Sequence, residues 1–144
     1  MNIVWGIILT AISALGWSGQ VITVFWPRTA VKLGLCEPKA DVDPVFFADV
    51  RGEAIWDTMI LWTLPVAGVL LILAQPLWVY FGLVGGGVYL YFSGRGLVVR
   101  KVMRGRGIRI GKPDTLVVAN IFLLVWGLTA VVTVVFAMVL WPAP

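Results

Sequence analysis

The stretch TLVVANIFLLVWGLTAVVTVVFAMVLW, Thr115 to Trp141, contains no Lys, Arg, Asp or Glu. At about 1.5 Å per residue, a helix of that length spans the roughly 30 Å hydrocarbon core of a bilayer. A helix also satisfies its own backbone hydrogen bonds, which lipid cannot do. Working back along the chain, three more runs share this character: Ile3–Trp26, about Ile55–Ala74, and Pro76–Ser93. The third is barely long enough to cross. Asp57, in the first turn of the second run, is the one charged residue in any of them. The pattern predicts an all-α, integral membrane four-helix bundle with spans at about 3–26, 55–74, 76–93 and 115–141, forming one domain over 1–144.

Composition agrees. Of 144 residues, 60% are hydrophobic and 12% charged, whereas a soluble domain carries roughly a quarter charged residues. Cys36 is the only cysteine and histidine is absent. An intramolecular disulfide is therefore excluded, and with it the chemistry of four-helix thiol oxidoreductases. Histidine ligation of haem or metal and a histidine general base are excluded as well. Only a carboxylate-held metal, or ligands from a partner chain, stay open; no metal and no cofactor are expected. The first run lacks a basic leader and a small-residue cleavage site, so it reads as a retained helix rather than a signal peptide.

All eleven basic residues fall in two connections. Arg28, Lys32, Lys39 and Arg51 lie in 27–54; Arg95, Arg100, Lys101, Arg104, Arg106, Arg109 and Lys112 lie in 94–114. The positive-inside rule then puts both loops in the cytoplasm and both termini outside, in a membrane of the bacterial cytoplasmic (inner) type. Trp5, Trp78 and Trp141 fall at the outer boundary, and Trp26 and Trp56 at the inner one, as aromatic belts require. Ala74-Gln75-Pro76 reads as a tight turn, so the second and third helices form a hairpin. Pro65 predicts a kink, and Asp114-Thr115 after Pro113 a cap for the fourth helix.

The first loop has structure of its own. Asp43-Pro44 reads as N-cap and N1 of a short interfacial helix over about 44–54, bent at Gly52, with Phe46, Phe47, Val50 and Ala54 on its apolar side. From Pro27 through Asp57 the chain has four basic and six acidic residues, whereas 95–114 has seven basic and one acidic. Opposite charge predicts that the two loops dock on each other.

Three features carry candidate function. Glu53 and Asp57, spaced i,i+4 beside Arg51, mark a polar or cation site at the inner boundary; the competing reading is a capped helix start paired with the basic loop. The cluster Arg95, Arg100, Lys101, Arg104, Arg106, Arg109 and Lys112 suits anionic lipid or an acidic partner. Without interleaved aromatics it gives no case for nucleic acid. Gly6, Thr10, Ala14 and Ser18, together with Gly82 and Gly86 and with Thr129, Thr133 and Ala137, form small-residue stripes for helix packing. No ionisable residue sits at mid-membrane, which disfavours coupled transport and the small multidrug exporters.

The leading functional expectation is a non-catalytic accessory or structural subunit, packing in a larger membrane complex or against its own copies. The layout is also similar to that of the membrane-associated glutathione-dependent transferases. That resemblance, in architecture only, implies a site near Tyr89, Tyr91 and Arg95 for a thiol peptide and a lipid electrophile. The family's Arg, Asn and Glu pattern is not reproduced by Arg51-Gly-Glu-Ala-Ile-Trp-Asp57. A third expectation is a small uncoupled channel or carrier lined by the third helix's glycines and the first helix's hydroxyls.

Overall fold

A computed structural model describes residues 2–140 and is all-helical, with no strand among the described residues. The helices are α1 (Asn2–Phe25), α2 (Pro27–Lys32), α3 (Pro44–Ile60), α4 (Thr63–Ile72), α5 (Trp78–Gly105) and α6 (Pro113–Val139), with a single 3-10 turn at Lys39–Asp41. Trp141, assigned to the outer belt, lies outside the described residues.

Three stretches are long and apolar enough to cross a membrane: Ile3–Phe25, Pro44–Ile72 and Pro113–Val139. Helix α5 has the length, 28 residues, but Gly85-Gly86-Gly87, Tyr89 and Tyr91 dilute its hydropathy. Packing explains why that dilution is tolerated. Helix α5 lies between α4 and α6, so protein rather than lipid covers much of it. A Cβ on Gly85 would stand 2.7 Å from the Leu64 backbone nitrogen on α4, and one on Gly86 2.6 Å from Val134 on α6.

The second span differs from its expected form. The interfacial helix and the start of the span are one helix, α3, which runs unbroken through Gly52. Asp43 caps it as read from sequence, accepting from the Val45 N–H at 2.9 Å. The break falls instead at Leu61-Trp62. Pro65 has no N–H to give the Leu61 carbonyl, which takes a long 3.4 Å bond from Leu64. Helix α6 also starts differently: Lys112 is its N-cap, Pro113 is N1, and Asp114 lies in the first turn without capping.

The hairpin turn is a Schellman motif. Ala74 N–H bonds the Leu71 carbonyl at 3.1 Å, and Gln75 N–H bonds Leu70 at 2.9 Å. The same 5→2 and 6→1 pair closes α5, from Gly107 to Arg104 and from Ile108 to Met103. Gly107 supplies the left-handed residue there with φ 75°; at the hairpin Ala74 must adopt φ 52°. The stretch Arg104-Gly-Arg-Gly is therefore a helix stop.

The packing line on α1 also departs from the stripe read in sequence. Gly6, Leu9, Ser13 and Gly16 are buried, while Ala14 and Ser18 are only half-buried. A spacing of four drifts about 40° around the helix at each step, so the seam must alternate threes and fours. Gly6 does meet Gly68 closely: a Cβ on it would stand 3.0 Å from the Gly68 carbonyl oxygen. Thr129, Thr133 and Ala137 are buried on α6.

Aromatic donors tie the bundle centre. Tyr89 is fully buried and its hydroxyl donates to the Ser13 carbonyl. Trp126 Nε1 donates to Ile12 at 2.9 Å, and Trp17 Nε1 to Thr58 at 3.0 Å. Gly16 leaves room for the rings, with Trp126 and Tyr89 carbons within 3.2 Å of where its Cβ would be. At the hairpin end Trp78 is buried against Phe136, at 5.8 Å between centroids, with Trp5 packed on the same cluster. Trp78 is thus a core residue rather than a belt residue. Trp26 and Trp56 are exposed.

Candidate functional site

The polar chemistry gathers at the loop end. Helix α3 carries Asp49, Glu53 and Asp57 at spacings of four, hence along one face. Arg95, on α5, reaches across to two of them: Nη2 lies 2.5 Å from Asp49 Oδ1 and Nη1 2.7 Å from Glu53 Oε1. The first is an aligned hydrogen bond; the second is an ion pair that falls short of hydrogen-bond geometry. Asp57, 4% exposed, sits one turn deeper, and its Oδ2 has no hydrogen-bond partner among the described residues.

Arg51, expected beside Glu53 and Asp57, is directed elsewhere. Its Nη1 and Nη2 donate to the Thr23 and Val24 carbonyls at 2.5 and 3.0 Å. These are carbonyls of the last turn of α1, which has no basic residue of its own. Arg51 therefore closes that helix end, where a cation is favoured. Among the described residues no three Cys, Asp or Glu side chains converge in a metal-ligating group. Sequence reading missed the Arg95–Asp49 contact. Asp49 was legible as the i−4 neighbour of Glu53; the partner was not, because pairing across α3 and α5 depends on tertiary register.

The two charged loops do dock. Asp43 N–H bonds the Arg109 carbonyl at 2.8 Å, and Lys112 N–H bonds Glu37 Oε1 at 3.1 Å. Lys112 Nζ lies 3.9 Å from Asp41, on side chains largely open to solvent. Beneath them Val42, Phe46 and Ile110 form a buried apolar cluster, so hydrophobic contact supports the charge pairing.

This docking divides the basic cluster. Arg95 is paired inside. Lys101, Arg104, Arg106 and Arg109 are exposed around the C-terminal end of α5, and Lys112 is exposed beside Asp41. Arg100 is drawn inward without a pair: its Nη1 is buried with no hydrogen-bond partner among the described residues. Burial holds this guanidinium below its ordinary pKa, while Glu53 pulls the other way.

Arg100 lines two adjoining cavities of about 550 and 360 Å³, both within the roughly 300–1,000 Å³ of small-ligand sites. The larger lies under the first loop, walled by α2, Cys36, Val42, Phe46, Phe47 and the start of α6. The smaller lies between α1 and α6, from Thr115 down to Trp126. Thr23, Leu35, Val50, Arg100, Thr115 and Ala119 line both. At Trp126 the two helices are joined by the bond to Ile12, and from there toward Thr23 and Thr115 the cavity lies between them. Cys36, half-buried on the wall, has its thiol pKa raised by burial against the opposing charge of Arg51.

The residues implied by the transferase resemblance do not assemble. Tyr89 is sealed in the core by its bond to Ser13, Arg95 is held by two carboxylates, and Tyr91 is 65% exposed on the outside of α5. Of the glycines assigned to a pore, Gly82 faces Thr133, Gly85 faces Leu64 and Gly86 faces Val134 within the chain, while Gly87 is exposed and meets nothing within 4 Å. Comparison with family models, curated proteins and solved structures gave no match.

Proposed function

We propose that the chain is a non-catalytic accessory subunit of the membrane, crossing it four times with both charged loops in the cytoplasm and both termini outside. The observation that carries this reading is the division of polar groups. Most of those inside the bundle are taken up by the fold: Tyr89, Trp17 and Trp126 cross-link helices, and the Ser13, Thr23, Ser93, Thr129 and Thr133 hydroxyls bond carbonyls one turn back on their own helices, while Asp57 Oδ2, Asn120 Oδ1 and Trp5 Nε1 have no hydrogen-bond partner among the described residues. Those outside, Lys101, Arg104, Arg106 and Arg109, are carried by a helix end that is stopped by an ordered cap and braced by the first loop. A cationic helix end of this kind suits an acidic surface of a partner subunit.

The glycine stripes already serve contacts within the chain, so the partner's contact falls to this charged end. Mild solubilisation followed by native mass measurement tests the reading. The expected species is a complex heavier than the 15.8 kDa chain, weakened by salt and lost in a Lys101→Glu/Arg104→Glu/Arg106→Glu variant. A free monomer with no co-purifying protein overturns it. Reporter fusions at both termini test the orientation; a cytoplasmic signal at either end refutes it.

A further inference from the structure

We infer that the cleft between α1 and α6 is a binding site for one anionic phospholipid, its phosphate held by Arg100 and one acyl chain lying along the cleft toward Trp126. Four observations converge on this occupant, and none depends on the docking role proposed above.

The first is the state of Arg100. A guanidinium with a buried N–H and no acceptor is costly. Glu53, the carboxylate whose charge acts on Arg100, is already 2.7 Å from Arg95. An incoming phosphate offers acceptor oxygens whose spacing matches the guanidinium fork.

The second is charge around the head position. Arg28, Lys32, Lys39, Arg51 and Arg100 line the upper cavity against Glu37, and the one further carboxylate beside Arg100, Glu53 in the lower cavity, is neutralised by Arg95. Such a surround favours an anion over a zwitterion.

The third is the shape and chemistry below Arg100. Leu15, Val118, Phe122, Leu123 and Trp126 line the lower cavity toward its Trp126 end, while its polar lining, Gln20, Thr23, Glu53, Arg100 and Thr115, includes one carboxylate, Glu53, which Arg95 already pairs. From Thr115 to Trp126 this trough runs about 16 Å along α6. A soluble phosphate compound has nothing to place there, whereas a hydrocarbon chain fills it.

The fourth is access. Leu15, Val118 and Phe122 are 64%, 52% and 47% exposed at the mouth between α1 and α6, so the trough opens sideways into the bilayer. A phospholipid can enter without leaving the membrane, with its second chain remaining among bulk lipids.

The site is tested in nanodiscs holding equal amounts of phosphatidylglycerol and phosphatidylcholine, with native mass spectrometry counting the lipids kept by the full chain. The expected result is one retained phosphatidylglycerol per chain. Arg100→Gln should lower the preference for it about ten- to hundred-fold, the loss of a charged hydrogen bond. Gly19→Leu fills the trough without a backbone clash, because a Cβ there meets only Leu35 Cδ2 at 4.0 Å; it should expel the lipid while leaving Arg100 intact. Lys101→Gln/Arg104→Gln should keep it, since those side chains are exposed at the C-terminal end of α5. Retention without headgroup preference, undiminished binding in Arg100→Gln or Gly19→Leu, equal loss in the Lys101/Arg104 variant, or a free fatty acid in place of the phospholipid overturns the inference. If Arg100→Gln does not fold, Gly19→Leu decides alone. Loss of the partner complex with the lipid retained would refute only the reading of the charged end.

Discussion

Replacing Arg95 by glutamine tests the central claim about the polar belt, that one guanidinium holds α3 against α5. Arg95 contacts Asp49 at 2.5 Å and Glu53 at 2.7 Å, with side-chain exposures of 26%, 24% and 17% for the three residues. One contact is a charge-assisted hydrogen bond, worth about 1.5–3 kcal/mol when dry. The other is an ion pair without aligned geometry, worth roughly 1 kcal/mol at this exposure. Removing the guanidinium also leaves two carboxylates unpaired on one helix face, with Asp57 one turn further along. Discounting for the quarter exposure, Arg95→Gln should destabilise the protein by about 2–3 kcal/mol. Reversible unfolding in mixed detergent micelles measures this directly. The double variant Arg95→Gln/Glu53→Gln isolates the pair, with an expected coupling of about 1 kcal/mol. A single-variant loss below roughly 0.5 kcal/mol, the range of ordinary surface substitutions, would show that α3 and α5 do not depend on this bridge.

Three further outcomes follow from the geometry. Tyr89→Phe should cost about 1 kcal/mol, since it removes one hydrogen bond from a carbonyl within α1, while Tyr89→Ala should cost about 3–5 kcal/mol through the cavity it opens; equal losses in the same unfolding assay would contradict the core placement. Ala74→Gly should stabilise the hairpin by about 0.5–1 kcal/mol, relief of a left-handed alanine less the added freedom of an unfolded glycine. Gly107→Ala at the matching position should destabilise by a similar amount, and thermal midpoints of opposite sign check the pair. Burial disfavours the Cys36 thiolate, so alkylation by iodoacetamide should still be accelerating at about pH 8.5, where an ordinary thiol is half ionised. A rate that levels off below that pH would mean that the Arg51 charge outweighs burial.

The candidate site was legible in its residue types and misread in its partnerships. Glu53 and Asp57 share a helix face because α-helical spacing fixes it, whatever the tertiary structure. Arg51, two residues before Glu53, points off that face and reaches the end of α1. Arg95 and Arg100 looked alike as members of one basic run, yet their neighbours separate them completely. Arg95 meets carboxylates; Arg100 meets a cavity. Five residues along α5 make the difference, and only the packing of α3 and α6 against that helix says which neighbour each receives.

Sequence by itself determined what depends on solvent and backbone alone. Long uncharged runs require helices of bilayer length, Asp43-Pro44 starts a helix, Pro65 interrupts one, and the absence of histidine and of a second cysteine removes whole classes of chemistry. Tertiary structure decided whatever depends on which faces meet. It drew the α1 seam through Gly6, Leu9, Ser13 and Gly16, since helical pitch carries a strict four-residue stripe off the contact line. It buried Tyr89 and Trp78, and let glycine-rich α5 serve as the inner helix. It also left a cavity between α1 and α6 from Thr115 to Trp126. The physical reason is that apolar surface is non-directional: it drives the helices together, and close packing around glycines and cross-helix hydrogen bonds selects how they meet.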